Sequence, residues 1–196
     1  MSRDIRSKAI WAVLLSCLVM FVFIFIRFKK WTYGIGAVAA LFHDVLLVLS
    51  VYIIFDGILP FSLEITQDFI AAILTVMSYS MTDTVVVFDR IREYLTERNK
   101  YDLDKGEKVK VINYALNSTL SRTINTSLTI FFVLLAIFIF GGETIRGFSF
   151  ALLIGIVIGT YSSICIATPI VIDLDKDKDK EPSVKAAKEN KAVPVS

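Results

Sequence analysis

Residues 79–93 have the sequence Tyr79-Ser80-Met81-Thr82-Asp83-Thr84-Val85-Val86-Val87-Phe88-Asp89-Arg90-Ile91-Arg92-Glu93. The apolar residues from Phe69 onward indicate a membrane helix, and Asp83 lies well inside it. A charged side chain at the centre of a bilayer costs about 2.5–3.5 kcal/mol on insertion scales, so such a residue marks a functional site by default. The stretch therefore predicts a membrane protein that moves ions or protons.

The composition of the whole chain agrees with a membrane protein. The 196 residues are 55% hydrophobic with a mean hydropathy of +0.66, yet the 21 basic and 19 acidic residues are strongly segregated. Residues 123–142 and 147–172 contain no charge, and each stretch exceeds the ~18 residues that indicate a spanning helix. We predict an all-α membrane bundle whose five helices cover about 9–26, 34–55, 68–88, 121–140 and 147–172. A loop at 93–117 and a disordered tail at 173–196 complete this domain organisation.

The placement of the basic residues predicts the orientation. Three follow the first span, eight lie within 90–122 and six lie in the tail, which puts 17 of 21 on one side. Cytoplasmic segments carry an excess of Lys and Arg, so this side and the C-terminus are predicted to be cytoplasmic. The basic residues within 2–8 oppose this orientation, and we therefore expect an upstream helix to be missing. The tail lysines are a candidate contact for anionic lipid.

Asp83 and Arg122 are the candidate proton pathway. Asp83 precedes Asp89 by six residues, which places it about 9 Å inside the end of its helix. Arg122 begins the antiparallel fourth helix from the same side, so the two side chains are predicted to come close. If helix movement changes their distance, the carboxyl group alternately takes up and releases a proton. The alternative is a permanent buried ion pair that only holds two helices together.

Polar residues recur at intervals of three to four on the third and fourth helices. They are Thr75, Ser78, Tyr79, Thr82 and Asp83 on the third, and Ser118, Arg122, Asn125, Thr126 and Thr129 on the fourth. This spacing predicts two polar faces that meet and hold water between them. Thr82 and Thr126 are therefore candidate accessory residues. Asp44, next to the only histidine, is a third candidate, as a relay site, a partner for hydroxyls or a packing residue.

Two further groups stand out along the chain. Asp89, Arg90 and Arg92 end the third helix at the membrane surface, either as an ion-paired cap or as a hinge or docking site. Gly155, Gly159 and Ser163 recur every four residues in the fifth span. Small residues on one face predict close packing against another helix.

The residues Thr82–Glu93 resemble the signature of the SecF family and of the SecF half of fused SecDF proteins. Three other stretches agree with that family: Arg27-Phe28 with His43-Asp44, Ser121–Ser127, and Gly141-Gly142 through Gly147-Phe148 to Gly159–Ser163. The likeness runs from about residue 5 to residue 172.

The resemblance implies one half of a resistance-nodulation-division (RND) fold, a six-helix membrane bundle that pairs with a SecD half. It also implies an accessory subunit of the Sec preprotein translocase in the bacterial inner membrane. With the SecYEG translocon, this subunit would use the proton gradient to move preproteins. The aspartate and arginine of the family's proton path match Asp83 and Arg122.

The chain departs from the family pattern in two respects. Thr82 stands where the family has Asn. From the resemblance we also expect the family's first SecF helix and periplasmic domain to lie outside this sequence. We therefore expect this chain to need that segment and a SecD half to complete the cycle.

Other classes of function fit the sequence less well. Asp44 and Asp83 supply the two membrane carboxylates of an intramembrane aspartyl protease, but neither stands in a Gly-x-Gly-Asp motif. The sequence shows no phosphate-binding loop, metal-ligand cluster or nucleophile triad, so we expect no enzyme activity, metal, cofactor or nucleic-acid partner. A passive helical scaffold that stabilises the translocon stays the alternative to a proton-driven subunit.

Overall fold

The computed structural model describes residues 3–97 and 105–175, and within these ranges the protein is a bundle of long helices. The helices are α1 (Arg3–Phe28), α2 (Trp31–Phe55), α3 (Gln67–Glu97), α4 (Lys105–Phe140), α5 (Glu143–Ser162) and α6 (Thr168–Asp175), with a π-helical turn at Ser163–Ala167 between α5 and α6. Taking α5 to residue 174 as one stretch, five stretches within the described ranges are long and apolar enough to cross a membrane. This confirms the predicted all-α bundle.

The helices extend beyond the predicted spans. Residues 93–117 were predicted as a loop, but α3 continues to Glu97 and α4 already begins at Lys105, while residues 98–104 lie outside the described ranges. Hydropathy marks only the part of a helix that lies in hydrocarbon, whereas good helix formers continue the helix into water. The predicted tail is also corrected at its start, because α6 runs to Asp175; the rest of 173–196 lies outside the described ranges.

Helices α3 and α5 form the centre of the bundle, and α1 lies at its edge. Half of the most apolar stretch of α3, and the same share of α5, is buried, compared with 6% for α1. The exposed side chains of α1 include Trp11, Leu15 and Ile26, which suit a lipid environment. Several polar residues of α3 and α5 are therefore enclosed by the fold, among them Ser80, Asp83 and Ser162.

Glycines let α5 lie directly against α3. A side chain at Gly155 would overlap Val76, and a Cβ atom at Gly159 would come within 3.0 Å of the Cβ of Ser80. Small residues at such positions allow two helix backbones to approach closely. Ser163 continues the same face, with its Oγ 2.9 Å from Thr84 Oγ1.

Candidate functional site

The second helix holds a fully buried carboxyl group at its middle. Asp44 is 0% exposed, and its Oδ2 accepts hydrogen bonds from Ser80 Oγ on α3 at 2.6 Å and from Ser162 Oγ on α5 at 2.9 Å. Nδ1 of His43 lies 3.3 Å from the other carboxyl oxygen. Because its partners come from three helices, Asp44 joins α2, α3 and α5 at one point.

A second pair of hydroxyls lies beside Asp44, where the π-helical turn begins. Thr84 Oγ1 donates to the carbonyl of Ser80 at 2.9 Å and contacts Ser163 Oγ, which in turn lies 3.0 Å from the carbonyl of Gly159. Thr168 Oγ1 donates to the carbonyl of Ser163 at 3.1 Å across the turn. π-Helical turns inside α-helices occur often at functional sites. Here the turn begins directly after Ser162, which donates to Asp44.

Asp83 is also buried, but its surroundings differ. The residue is 6% exposed, and Oδ2 has no hydrogen-bond partner among the described residues. An unpaired polar group in an interior costs free energy, and in a native structure it calls for an explanation such as bound water or a chemical role. Asp83 is therefore the stronger candidate for chemistry.

Two hydrogen bonds define how α3 lies along the antiparallel α4. The hydroxyl of Tyr79 donates to Ser127 Oγ at 2.8 Å, and Arg90 Nε donates to Ser118 Oγ at 3.3 Å. Tyr79, Asp83 and Arg90 share one face of α3, since they are separated by four and seven residues. Asp83 therefore faces α4, between these two hydrogen bonds.

The antiparallel register places Thr123 opposite Asp83. Thr123 is 2% exposed, and its Oγ1 has no hydrogen-bond partner within the described ranges. The residues one turn away behave differently, because Thr119 and Ser127 each donate to a carbonyl of their own helix at 2.8 Å. Two unpaired buried oxygens thus lie at the same depth, one on each helix.

Arg122 lies at a cavity rather than against Asp83. The cavity measures about 320 Å³, and its lining includes Val86, Arg90 and Glu93 from α3 and Ser118, Thr119 and Arg122 from α4. In the part of the chain that the structure describes, no salt bridge joins Arg122 to Asp83, although the two groups interact electrostatically. The permanent ion pair considered above is therefore not formed in this structure.

The face of α4 that was predicted to meet α3 does so only in part. Ser118 contacts Arg90, and Arg122 lines the cavity between the two helices. Asn125, Thr126 and Thr129 of the predicted face are exposed, whereas Thr119, Thr123 and Ser127 are buried. Thr82 and Thr126 are exposed, and their hydroxyls donate to carbonyls of their own helices at 3.0 and 2.9 Å. Spacing identifies a polar face but does not say which neighbour covers it.

The charged residues at the end of α3 contact α1 and one another. Arg27 Nη2 on α1 lies 2.8 Å from Asp89 Oδ1, and Arg92 Nη1 donates to the carbonyl of Arg27 at 3.4 Å. Arg90 Nη1 pairs with Glu93 Oε2 at 2.5 Å. Exposed ion pairs contribute little to stability, so these contacts position the helix ends more than they stabilise the fold.

Sequence reasoning missed Ser80 and Ser162 as partners of Asp44. It placed Tyr79 on the polar face of α3 but did not predict its contact with Ser127 or the participation of Thr160. Ser127 Oγ lies 2.7 Å from Thr160 Oγ1, so a hydrogen-bonded triad connects α3, α4 and α5. The only sequence signal for these residues is a Ser or Thr within an apolar span. That signal is weak, because isolated Ser and Thr residues are common at helix contacts in membranes.

Comparison with known proteins shows that this chain is similar to protein-export components. A family model described as protein export membrane protein SecD/SecF, C-terminal, matches residues 1–177. Protein translocase subunit SecF of Rhodothermus marinus is 55% identical over 173 residues, covering 88% of this chain and 54% of that protein. SecF of Petrotoga mobilis is 42% identical over 179 residues, covering 91% of this chain and 55% of that protein.

A solved structure agrees with these sequence relatives. The crystal structure of SecDF from Thermus thermophilus, described as a translocon-associated membrane protein, matches with a TM-score of 0.74 and 36% identity. The match covers 87% of this chain and 22% of that one. The chain thus spans about half the length of the SecF relatives that it matches.

Proposed function

Because this chain belongs to the SecD/SecF C-terminal family, we propose that it forms part of an accessory subunit of the Sec preprotein translocase. We propose further that proton flow through the membrane bundle drives the export of preproteins, with Asp83 as the residue that binds and releases the proton. Arg122 changes the proton affinity of Asp83 as the distance between them changes.

The observation that carries this proposal is the unpaired oxygen of Asp83. Its Oδ2 is buried without a hydrogen-bond partner in the described part of the chain, one helical turn from Val86 at the cavity between α3 and α4. A group that must alternate between protonated and ionised forms cannot be held permanently by strong donors to one form. The free oxygen of Asp83 supports such an alternation.

A passive scaffold is the second candidate function, and one observation favours it. Asp44 shows that this bundle does use a buried acid to hold helices together, through Ser80 and Ser162. The scaffold hypothesis required Asp83 to form a static pair with Arg122. No such pair exists among the described residues, so the proton-driven function is preferred.

We propose that a SecD half covers the exposed side of α3. Within Gln67–Glu97, all of which the structure describes, no large apolar side chain is exposed, and the residues exposed at membrane depth include Thr75, Ser78 and Thr82. Their hydroxyls donate to carbonyls one turn earlier in α3. Because these hydroxyls are already hydrogen-bonded, the three side chains need no polar partner and can pack against a further helix. A face of small residues suits a helix better than lipid.

We propose that the protein lies in the inner membrane. In the proposed orientation the C-terminal end of α3 faces the cytoplasm. Arg27, Lys29 and Lys30 lie at the end of α1, and Arg90 and Arg92 lie towards the end of α3. These two helix ends meet through the Arg27–Asp89 pair and so lie on one side. An excess of basic residues marks the cytoplasmic side.

The test uses the full-length SecD–SecF assembly with Asp83→Asn, in inverted membrane vesicles with a preprotein substrate. Export is measured with and without a proton gradient, after co-purification has shown normal assembly. We expect loss of the gradient-stimulated part of export alone, since Asn cannot carry the proton. Unchanged stimulation would refute the proton role and leave the scaffold function.

Asp68→Asn is the matched control. Asp68 is an exposed acid in the first turn of the same helix, at the end opposite to the cavity. Its substitution removes one negative charge from α3 but should leave gradient-stimulated export intact. A loss in both variants would indicate a general effect of charge rather than a role for Asp83.

A further inference from the structure

Three hydroxyl groups within residues 160–163, where α5 enters the π-helical turn, connect this helix to three others at one level of the bundle. They belong to Thr160, Ser162 and Ser163, which we call the α5 hub. Their partners lie at 2.7, 2.9 and 2.9 Å and are, in the same order, Ser127 on α4, Asp44 on α2 and Thr84 on α3. The hub therefore joins α5 to every helix that surrounds the Asp83 level.

The hub reaches α3 along a first line of contacts, which passes through α4. Thr160 Oγ1 lies 2.7 Å from Ser127 Oγ, and Ser127 Oγ accepts a hydrogen bond from the hydroxyl of Tyr79 at 2.8 Å. Tyr79 precedes Asp83 by four residues, so both lie on the same face of α3. Thr160 thus holds the face of α3 that carries Asp83, through one intervening side chain.

A second line of contacts holds an adjacent face of α3. Ser163 Oγ lies 2.9 Å from Thr84 Oγ1. Ser162 reaches Ser80 through Asp44, whose Oδ2 accepts hydrogen bonds from both serine hydroxyls. Because Ser80 and Thr84 are separated by four residues, they lie on one line along α3.

The two lines lie at different angles around the axis of α3. Successive residues of an α-helix are rotated by about 100°, so Ser80 and Thr84 lie about 100–140° round from Tyr79. Contacts on a single line would let the helix turn about that line. Contacts on two lines so far apart oppose rotation in both directions, so the hub is able to fix which way Asp83 points.

The hub contacts are buried, whereas the one remaining side chain of the segment is not. Ser162 and Ser163 are 0% exposed, and Thr84 is 1% exposed. A turn of α3 would leave these buried polar groups unpaired, which costs free energy. Tyr161, in contrast, is 54% exposed and points away from α3 and α4. Only the hydroxyls that face inward can therefore hold α3.

We propose that Thr160, Ser162 and Ser163 are positioning residues that together fix the rotation of α3 and keep Asp83 directed at α4. A change in the distance between Asp83 and Arg122 then comes from Arg122, which is exposed at the cavity, and not from a turn of α3. This inference deepens the proposed function and rests on it only for the effect on proton transfer.

The test measures the rotation of α3 by disulfide crosslinking in the full-length SecD–SecF assembly. Cys17 and Cys165, the free cysteines of this chain, are first changed to Ser. One variant then carries Asp83→Cys with Thr123→Cys, and a second carries Thr82→Cys with Thr123→Cys. Both are oxidised with copper phenanthroline in membranes, and the rates of crosslinking are compared.

The ratio of the two rates reports the direction in which position 83 points. A disulfide needs Cβ atoms about 3.5–4.5 Å apart, so we expect the 83–123 pair to form at least about tenfold faster than the 82–123 pair. Adding Thr160→Val and Ser163→Ala, which weaken one line each, should lower this ratio to below about threefold. Tyr161→Phe is the matched control, because it removes an exposed hydroxyl from the same segment, and it should leave the ratio unchanged.

Two results would overturn the proposal. One is an unchanged ratio after Thr160→Val and Ser163→Ala, even if thermal unfolding shows a loss of stability, since a purely structural role predicts that combination. The other is a parent protein in which the 83–123 pair has no advantage. If the double variant does not assemble, Thr160→Val and Ser163→Ala are measured singly, and each should lower the ratio.

A second measurement connects the hub to export. Thr160→Val removes the hydroxyl at nearly constant volume, and Thr160→Ser retains it. Gradient-stimulated export should fall with Val and return with Ser, while export without a gradient stays the same in both. Equal export in the Val and Ser variants would contradict a positioning role for this hydroxyl. Crosslinking needs no proton gradient, so the rotation of α3 is tested even if Asp83→Asn shows that the protein is not proton-driven.

Discussion

Asp44 and Asp83 are two buried carboxyl groups in neighbouring helices, and their surroundings are opposite. Asp44 receives hydrogen bonds from Ser80 and Ser162 and contacts His43. Asp83 has an oxygen without a partner in the described part of the chain and faces α4 beside a cavity. Burial alone therefore does not distinguish a structural acid from a reactive one.

The difference lies in the donors. Hydroxyl groups from α3 and α5 fix Asp44, so any movement of one helix relative to the others would break a hydrogen bond. Asp83 Oδ2 has no such donor within the described ranges, although the Tyr79–Ser127 and Arg90–Ser118 hydrogen bonds join α3 to α4 on either side of it. We infer that the Asp44 side chain is held in one position, whereas the Asp83 carboxyl group is able to change its partners.

The largest effect is expected from Asp44→Leu. The substitution leaves Ser80 without its acceptor, at about 1–3 kcal/mol, and leaves Ser162 only the longer bond to the carbonyl of Gly159 at 3.2 Å, so the free energy of unfolding should fall by about 2–4 kcal/mol. Unfolding in mixed detergent micelles measures this change. Asp44→Asn keeps an acceptor oxygen and should lose less. If Asp44→Leu were no more harmful than Asp83→Leu, the contrast between the two acids would be wrong.

Removing one donor at a time gives the next largest effect. Ser80→Ala and Ser162→Ala should each lower the free energy of unfolding by about 1–3 kcal/mol, because each deletes one hydrogen bond to a buried carboxyl group. Ser78→Ala is the matched control, since its exposed hydroxyl only donates to Leu74 of its own helix. Combining Ser80→Ala with Asp44→Leu should add less than the sum of the single losses. Full additivity would contradict their contact.

A smaller change in stability is expected from Asp83→Asn. Asp83 Oδ2 forms no protein hydrogen bond within the described ranges, so the amide should change the free energy of unfolding by less than about 1 kcal/mol, or raise it. The same unfolding assay applies, compared directly with Asp44→Asn. Equal losses in the two variants would show that Asp83 has a structural partner after all.

The smallest effect is expected at the exposed pair that joins α1 to α3. Arg27 and Asp89 retain 45% and 52% of their side-chain exposure, so Arg27→Ala should cost about 0–1 kcal/mol. The cost should shrink further at high salt, because exposed charges are screened. A large, salt-independent loss would mean that this pair holds the bundle together as firmly as Asp44 does.

The sequence predicted the bundle because length and hydropathy mark spanning helices without reference to their neighbours. It also singled out Asp83 by its depth. It did not predict the partners of Asp44, which lie 36 and 118 residues away in the chain. Contacts between residues so far apart in the sequence depend on how the helices are arranged around one another. The spacing of residues within one helix does not determine that arrangement.

The partial error on α4 has a similar cause. The chain places Arg122, Thr126 and Thr129 on one helical face and Thr119, Thr123 and Ser127 on an adjacent one, and both faces are polar. Only the second is buried against the bundle. Where two neighbouring faces are polar, periodicity cannot say which one meets the protein, and the interhelical hydrogen bond from Tyr79 to Ser127 supplies the answer.

The bridge from Asp44 to Ser162 also bears on how the protein is made. Ser162 follows Asp44 by 118 residues, and a ribosome adding ~5–20 residues per second needs roughly 6–24 s to cover that distance. During this interval α2 must either stay within the insertion machinery or carry an incompletely bonded acid into the bilayer. Arrival of α5 supplies the second hydroxyl donor, so the hydrogen-bonded site around Asp44 is completed late in synthesis.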